Sequence, residues 1–368
     1  MTEARTMPNL YMPGVAPRYL ADFECLGEAC PAPCGEEDIT RECPAYPRWL
    51  WHNGSQVEMC GMLSCPEMAR LCLTRDQAMD LVEFDASSLE QGAPSRSEAE
   101  PFYAYEPTVK QVLLDTLALD ERPLAARLFA LASFAEEIDP VLADASCGER
   151  DMAPAVEAID SGRHLSVWEE SGGDEERDDT VPMGVLQFLF QRLMGADPQD
   201  RMAGRVKDAL ATYATSEDTQ ELFSMGDGGL RIDCAVLADA YARRQAALPR
   251  SLRERVDYLL TRILRNAVLS QPYTTAASLV RYVQDLIAIQ AAARFLLLSD
   301  SALDQAVAAD TGSRDMWSGE QLETAASDAA HLLARALRAR PHVLDELDEA
   351  LHREGLRGRA MRRMLAGL

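Results

Sequence analysis

Lysine is scarce in this sequence: of its 36 basic residues only Lys110 and Lys207 are lysine, and the others are arginine. Acidic residues outnumber basic ones: 60 acidic residues against 36 basic ones leave a formal net charge of −24. A charge of that sign repels phosphate backbones and anionic headgroups. We therefore expect neither nucleic acid nor a membrane surface among the partners of this protein.

Long apolar runs and several catalytic signatures are missing as well. No apolar stretch reaches the roughly 18 residues that a transmembrane helix needs, and the first residues carry no apolar signal core, so we expect a cytoplasmic protein. No P-loop occurs, and no G-x-G-x-x-G run follows a strand. Cys30-x3-Cys34 begins like a radical S-adenosylmethionine loop, but the third position is Glu37. The histidines form no ligand or triad pattern and are predicted to lie at the surface: His52, His164, His331, His342 and His352.

Apolar residues recur with helical spacing from about residue 106 onward. Val256, Leu259, Leu260 and Ile263 illustrate the pattern, whereas strand-like alternation is scarce. The sequence therefore predicts an all-α fold, in which an N-terminal Cys-rich metal-binding segment precedes a helical domain. A helix is also predicted to start near Pro66, which suits a first helical turn.

The composition changes along the chain and suggests three parts. Residues 1–75 form a Cys-rich iron–sulfur (or zinc) segment, residues 76–105 a linker, and residues 106–368 a helical domain with an acidic loop near 170–180. The later helices are predicted at about 183–195, 200–215, 232–247, 251–270, 274–299, 319–339, 342–353 and 357–366.

Cysteines cluster near the N-terminal end, where seven of the nine lie between Cys25 and Cys72. In a reducing cytoplasm such clustering favours metal ligation over disulfides. Four thiolates can hold either an iron–sulfur cluster or a structural zinc, and the spacing alone does not choose between the two. A segment of this composition buries little apolar surface, so a bound metal would supply part of its folding free energy.

Three motifs follow one another along the same segment. The first is Arg18-Tyr-Leu-Ala-Asp-Phe-Glu-Cys-Leu-Gly-Glu-Ala-Cys-Pro-Ala-Pro-Cys34, the second is Cys43-Pro-Ala-Tyr-Pro-Arg48, and the third is Leu63-Ser-Cys-Pro-Glu-Met-Ala-Arg-Leu71. In type and order they resemble the flagellin lysine-N-methylase family. The stretch 256–266 and the helix predicted over 278–298 are similar, more loosely, to the helical C-terminal part of that family.

The resemblance implies an enzyme that uses S-adenosylmethionine to methylate lysine side chains of another protein, typically flagellin, and that carries an iron–sulfur cluster. It favours a 4Fe–4S cluster, with zinc as the alternative. Cys60 or Cys72 could substitute for a ligand, and Gly35 stands where the family usually has a further cysteine. The matched metal ligands are Cys25, Cys30, Cys34, Cys43 and Cys65.

Methyl transfer requires a neutral acceptor lysine, which suggests roles for residues near the cysteines. Glu67 and Tyr46 are the catalytic candidates, and Glu67 could accept a proton or hold the incoming ammonium. Arg48 could bind a carboxylate of the cofactor, and Tyr46 with Trp49 and Trp51 could cage a methylammonium. The structural alternatives are a helix-start charge for Glu67, an ion pair for Arg48 and packing for the aromatic residues.

A second hypothesis needs no catalysis. In it the metal fastens the Cys-rich segment onto a helical binding scaffold, and the protein acts as a non-enzymatic adaptor. The two hypotheses differ in cofactor binding, which only the enzyme requires.

Overall fold

A computed structural model of the chain describes residues 15–17, 48–53, 56–83, 101–144, 146–171, 180–194, 200–213, 223–226, 229–300, 303 and 319–355. Most of this part is helical, which confirms the helical character predicted from the apolar spacing. Its α-helices are α1 (Pro66–Thr74), α2 (Pro101–Ala104), α3 (Glu106–Leu117), α4 (Leu124–Ala143), α5 (Glu149–Asp160), α6 (Arg163–Ser171), α7 (Thr180–Leu193), α8 (Arg201–Tyr213), α9 (Cys234–Ala247), α10 (Arg250–Ser270), α11 (Leu279–Leu298), α12 (Gly319–Ala339) and α13 (Val343–Arg353).

Helix α11 is the centre of the core. Its sequence is apolar on nearly every side, and 17 of its 20 residues are buried, as expected of a helix surrounded by others. Helices α4, α7, α10 and α12 pack around it. Its N-terminus is capped by Ser278, whose Oγ accepts a hydrogen bond from the Arg281 amide, and by Asp139 of α4, which accepts from the Leu279 amide at 2.8 Å.

A small four-stranded sheet accompanies the helices, and the sequence did not predict it. Strands β1 (Val15–Pro17), β2 (Arg48–Asn53), β3 (Gln56–Gly61) and β4 (Leu81–Glu83) are arranged in the order β2-β3-β1-β4. The pair β2–β3 is antiparallel, and β1 runs parallel to β3. A separate hairpin joins β5 (Phe223–Gly226) to β6 (Gly229–Ile232). Strands β1 and β4 have only three residues, and β2 carries three apolar residues in succession, Trp49 to Trp51, so no strict two-residue alternation marks them.

A buried charge cluster ties this sheet to the helices. The ammonium of Lys110 on α3 lies 2.7 Å from the Glu58 carboxylate on β3 and 3.4 Å from Glu106. Burial alone would lower the pKa of Lys110, but the two carboxylates outweigh it and hold that pKa above its usual value. Lys110 is therefore charged, and it fixes the position of β3 on α3.

The predicted elements can now be compared with the structure. The seven helices predicted between 183 and 353 are all present, with ends shifted by a few residues, and α1 begins at Pro66 as expected. Strand β4 and helix α2 lie within the predicted linker. Residues 84–100 of that linker, the acidic loop over 172–179 and the helix predicted at 357–366 lie outside the described residues. The division of the chain at residue 75 stays a prediction.

Within the described part of the chain, no helix combines the length and the apolar character needed to cross a bilayer.

Candidate functional site

The third motif forms the turn that leads from β3 into α1, and we call residues 56–74 the β3–α1 junction. The amide of Cys65 donates to the Met62 carbonyl at 3.0 Å and closes the turn. Leu63, Ser64 and Cys65 are all buried, and Cys65 occupies the N-cap position ahead of Pro66. Helix α1 then packs between α10 and α12. The motif is thus enclosed by the helical body of the protein.

Asn266 of α10 holds the end of β3. Its side chain is 1% exposed, and its amide donates to the Gly61 carbonyl at 3.0 Å and to the Cys60 sulfur at 3.4 Å. A buried carbonyl without a partner is costly, so this contact fixes where the turn lies on α10. Asn266 belongs to the stretch 256–266 that resembles the family only loosely.

Arg262, one helical turn earlier on α10, binds the other end of the junction. Its guanidinium donates to the Cys72 carbonyl at 2.7 Å, to the Asp76 carbonyl at 3.3 Å and also to the Arg75 carbonyl. The last carbonyls of a helix have no partner within the helix itself. Arg262 therefore caps α1 from a neighbouring helix, and α1 contains no basic residue in its own last turn.

His331 of α12 contacts the turn from the opposite side, contrary to the prediction that it lies at the surface. It is 3% exposed and hydrogen-bonds to the backbone of Leu63. Burial lowers its pKa, so the imidazole is neutral near pH 7. His164 is buried as well, because it packs at the start of α6, whereas His342 and His352 are exposed as predicted. The side chain of His52 lies outside the described residues.

A cavity of about 310 Å³ lies beside the β3–α1 junction, at the small end of the range typical of ligand pockets. It is enclosed by strand β2, the junction turn and helices α10 to α13. Its lining residues are mostly aliphatic: Trp49, Met62, Leu63, Ser64, Ile263, Asn266, Ala267, Ser270, Gln271, Ile289, Ala330, Leu333, Ala334, Leu337, Arg338, Pro341 and Leu344.

The cavity has a polar mouth and a buried inner wall. Trp49, 41% exposed, and the exposed Arg338 lie at its solvent side, whereas Ser64 and Asn266 are buried. Of the described residues that line it, Arg338 alone carries a formal charge. The cavity can therefore remove an apolar group from water and place positive charge near its opening.

The predicted metal ligands are described only in part. Cys25, Cys30, Cys34 and Cys43 lie outside the described residues, and Cys65 is buried at the N-cap of α1. Within the described part of the chain, no three His, Cys, Asp or Glu side chains converge as a metal site would require. The described cysteines therefore do not make a metal centre by themselves, and a cluster would need ligands from residues 25–43.

Cys72, one of the two possible substitute ligands, lies buried between α1 and α10. Burial raises the pKa of its thiol to about 12, and its sulfur lies 3.9 Å from the Arg262 carbonyl, to which it donates. Its role as a metal ligand stays a prediction. Cys60 is buried too, and its sulfur accepts a hydrogen bond from the side-chain amide of Asn266.

Glu67 is the predicted catalytic residue whose surroundings are visible. Its carboxylate forms two hydrogen bonds with Arg70, and their side chains remain 43% and 53% exposed. The hydrogen bond with Arg70 lowers the pKa of Glu67. Glu67 does not line the cavity. An exposed Glu67 paired with Arg70 fits the structural alternative, in which Glu67 is a charged residue at the start of a helix.

The second motif ends beside the third. Arg48 is the first residue of β2 and pairs with Gly61, while Trp49 pairs with Cys60. The side chains of Arg48 and Trp51, and the whole of Tyr46, lie outside what the structure describes. Their predicted roles therefore stay predictions, but the register of β2 places the end of the second motif next to the turn formed by the third.

The structure adds four residues to which the sequence assigned no role in the site: Arg262, Asn266, His331 and Arg338. The scarcity of lysine could have drawn attention to Lys110, but nothing in the local sequence marks a helical asparagine or histidine as the partner of a distant turn. No protein-family model, curated protein or solved structure matches the chain. Function must therefore be inferred from the residues themselves.

Proposed function

We propose that this protein is an S-adenosylmethionine-dependent protein lysine N-methyltransferase that carries an iron–sulfur cluster. The observation that supports it most is spatial. Leu63 and Ser64 of the third motif and Ile263 and Asn266 of the loosely similar stretch line one cavity, and Trp49, the residue after the second motif, lines it too. Segments that resemble one family and are separated along the chain are thus neighbours in the fold.

The environment of the cavity suits methyl transfer to an amine. The nitrogen must lose its proton before it attacks, and an apolar surrounding disfavours the ammonium form of lysine. Leu63, Leu333 and Leu337 supply such a surrounding. S-adenosylmethionine held beside the cavity would supply an electrophilic methyl group to the neutral lysine nitrogen, and the proton lost by the nitrogen would pass to solvent.

S-adenosylmethionine supplies an activated methyl group when it is bound. Arg48 remains the residue proposed to bind its carboxylate, because a guanidinium matches carboxylate geometry; in the strand register its backbone pairs with Gly61, and the next residue, Trp49, lines the cavity. The proposed acceptor is a protein with exposed lysines, flagellin-like. Of the protein's own two lysines, Lys110 is buried in its charge cluster and is not available for methylation, whereas Lys207 is exposed on α8.

The iron–sulfur cluster is the first part of the proposal to test. Anaerobic purification followed by an absorption spectrum and metal analysis should give a brown, iron- and sulfide-containing protein. Replacing Cys25, Cys30, Cys34, Cys43 or Cys65 by serine should reduce the iron content. Cys147→Ser is the matched control, because Cys147 is a half-exposed thiol at the start of α5. A colourless, zinc-loaded protein would contradict the cluster assignment.

Methyl transfer is the second part to test. The purified protein is incubated with S-adenosylmethionine and flagellin, and lysine methylation is read by peptide mass spectrometry. We expect methylated acceptor lysines with the intact protein and none with Leu333→Trp, which fills the cavity. If no lysine-bearing partner is modified and calorimetry detects no cofactor binding, the adaptor hypothesis replaces the enzyme.

A further inference from the structure

One guanidinium faces three carboxylates where α11 meets α13. The Nε of Arg281, in the first turn of α11, lies 2.8 Å from a carboxylate oxygen of Asp285 on the same helix. Its two terminal nitrogens lie 3.3 Å from Asp345 and 3.4 Å from Asp348, both on α13. The side chains of Arg281 and Asp285 are 10% and 16% exposed, so water and salt screen these charges little. Since one positive charge does not balance three negative ones, the carboxylates compete for Arg281.

Helix α13 forms part of the wall of the cavity. Leu344 on α13 and Pro341 in the turn before it both line the cavity. The apolar residues that this helix of 11 residues buries are Val343, Leu347 and Leu351. An element with so few buried apolar residues opens at a lower free energy than the core does. The ion pairs with α11 therefore contribute to holding this wall in place.

Asp285 is the carboxylate whose proton decides the competition. Burial raises its pKa to about 6, although Arg281 acts against that rise, and Asp345 and Asp348 add to it. If α13 moves away, Asp285 gains water and loses two like charges, and its pKa falls toward the ordinary value of 3.8. The attached state therefore binds a proton more tightly than the open state, and the attachment of α13 should weaken as the pH rises through about 6.

The packed helices bring further charged groups to this contact: His342 and Glu346 on α13, Arg192 on α7 and Asp139 on α4. Glu346 and Arg192 form an exposed pair at 3.2 Å, and Asp139 caps α11. Tyr282 of α11 stays neutral, because burial raises its pKa. His342 lies 3.8 Å from Asp345, and since histidine gains a proton in the same pH range, it needs its own control.

We propose that α13 is a pH-controlled wall of the cavity: protonation of Asp285 leaves Arg281 to the carboxylates of α13 and keeps the wall closed, and loss of that proton lets the wall open. As regulation of the cavity assigned to methyl transfer, this inference rests on the proposed function, but its measurement does not. A chain whose α13 responds to pH without methylating lysine would contradict only the proposed function. One that methylates lysine with an unresponsive α13 would contradict this inference alone.

Hydrogen exchange on the full chain tests the inference at about pH 5 and about pH 7.5, with rates expressed as protection factors so that the intrinsic pH dependence of exchange cancels. We expect the open fraction of α13 to be about tenfold larger at the higher pH, the ratio that follows from a pKa of about 6 when α13 is attached and 3.8 when it is open. A local measurement is needed because the buried His331 changes global stability in the opposite direction.

Asp285→Asn removes the titrating group and keeps an oxygen that can accept from Arg281. The variant should show the small open fraction at both pH values. Asp239→Asn, at an exposed position on α9, is the matched control and should keep the tenfold change. His342→Gln should keep it as well, because the exposed imidazole is not the group that decides the competition.

A second variant keeps the test valid if Asp285→Asn does not fold. Asp348→Asn removes one of the two carboxylates that α13 offers to Arg281. At about pH 5 it should raise the open fraction of α13 about fivefold, the effect of one hydrogen bond, and by less at about pH 7.5, where Asp285 already occupies Arg281. Equal protection of α13 at both pH values in the unchanged protein would overturn the inference. So would a tenfold change that survives Asp285→Asn or disappears in His342→Gln, or an effect of Asp348→Asn that is the same at both pH values.

Discussion

The central helix α11 and the β3–α1 junction are both buried, but different interactions hold them. Helix α11 buries its own aliphatic and aromatic side chains, such as Leu286, Ile287 and Phe295, and most of its contribution to the core follows from area removed from water. The junction is held by long polar side chains that reach backbone groups and charges on another segment. Arg262, Asn266, His331 and Lys110 supply these contacts.

The two kinds of contact differ in how well they tolerate substitution. Apolar packing is non-directional, so the neighbours of a core helix can relax part of the way into a gap left by a smaller side chain. A hydrogen bond to a buried carbonyl has one correct geometry, and its loss leaves a group with no partner. The junction that borders the cavity should therefore be the part of the molecule most sensitive to single polar substitutions.

The largest effect is expected from Lys110→Met. Removing the ammonium leaves the carboxylates of Glu58 and Glu106 buried near each other without their countercharge. Breaking a buried ion pair in this way typically costs about 3–5 kcal/mol of unfolding free energy. Urea unfolding measures the loss. The other lysine provides the control: Lys207→Met, on the exposed face of α8, should change stability by no more than about 0.5 kcal/mol. If the two substitutions changed the free energy of unfolding equally, the charge cluster would not stabilise the fold.

A smaller and more local effect is expected from Arg262→Met. The variant keeps the apolar stem but leaves the carbonyls at the end of α1 without their donor, at a cost of about 2–3 kcal/mol. Hydrogen exchange should rise in α1 and leave α11 protected. Arg253→Met, an exposed site on the same helix, should leave both helices protected. Loss of protection in α11 as large as in α1 would mean that the junction and the core unfold as one unit.

The third prediction concerns pH. Burial lowers the pKa of His331 in the folded protein below its ordinary value of about 6.5. As the pH falls below 6.5, the unfolded chain binds a proton that the folded protein does not, so stability should fall. His331→Gln should remove part of this loss, as measured by denaturant unfolding from neutral pH to about pH 5. His352→Gln, at an exposed position, should retain the full loss. If both variants keep it, the buried imidazole is not the titrating group.

The helical body could be predicted from the sequence because its signal is local. In α10 the buried residues Val256, Leu259, Leu260 and Ile263 recur every three or four positions, and this spacing alone marks a helix with one face in the core. Helix α1 was predicted from Pro66 for the same kind of reason. Such patterns need no knowledge of what the helix packs against.

The junction and the cavity could not be predicted because their partners are distant in sequence. Asn266 and Gly61 are 205 residues apart, and Arg262 and Cys72 are 190 apart. No feature of the sequence around Asn266 indicates that its side-chain amide binds the carbonyl at the end of a strand. The sequence did locate the motif that forms the turn, since Leu63, Ser64 and Cys65 lie where the cavity and the junction meet. It did not locate the helices that complete the site.

The smallest change in stability is expected from Glu67→Gln, on the exposed side of the junction. The pair with Arg70 is half in solvent, and exposed ion pairs one turn apart on a helix contribute about 0.3–0.5 kcal/mol. Arg70→Gln should give the same small loss in urea unfolding, because it breaks the same pair. Methyl transfer to flagellin should be unchanged in both variants, since neither side chain lines the cavity. A loss of about 10²–10⁴-fold in Glu67→Gln alone, the range for a general base, would restore the role predicted from the sequence. The reaction would then take place at the surface of α1, and the polar contacts of the junction would serve to present that surface.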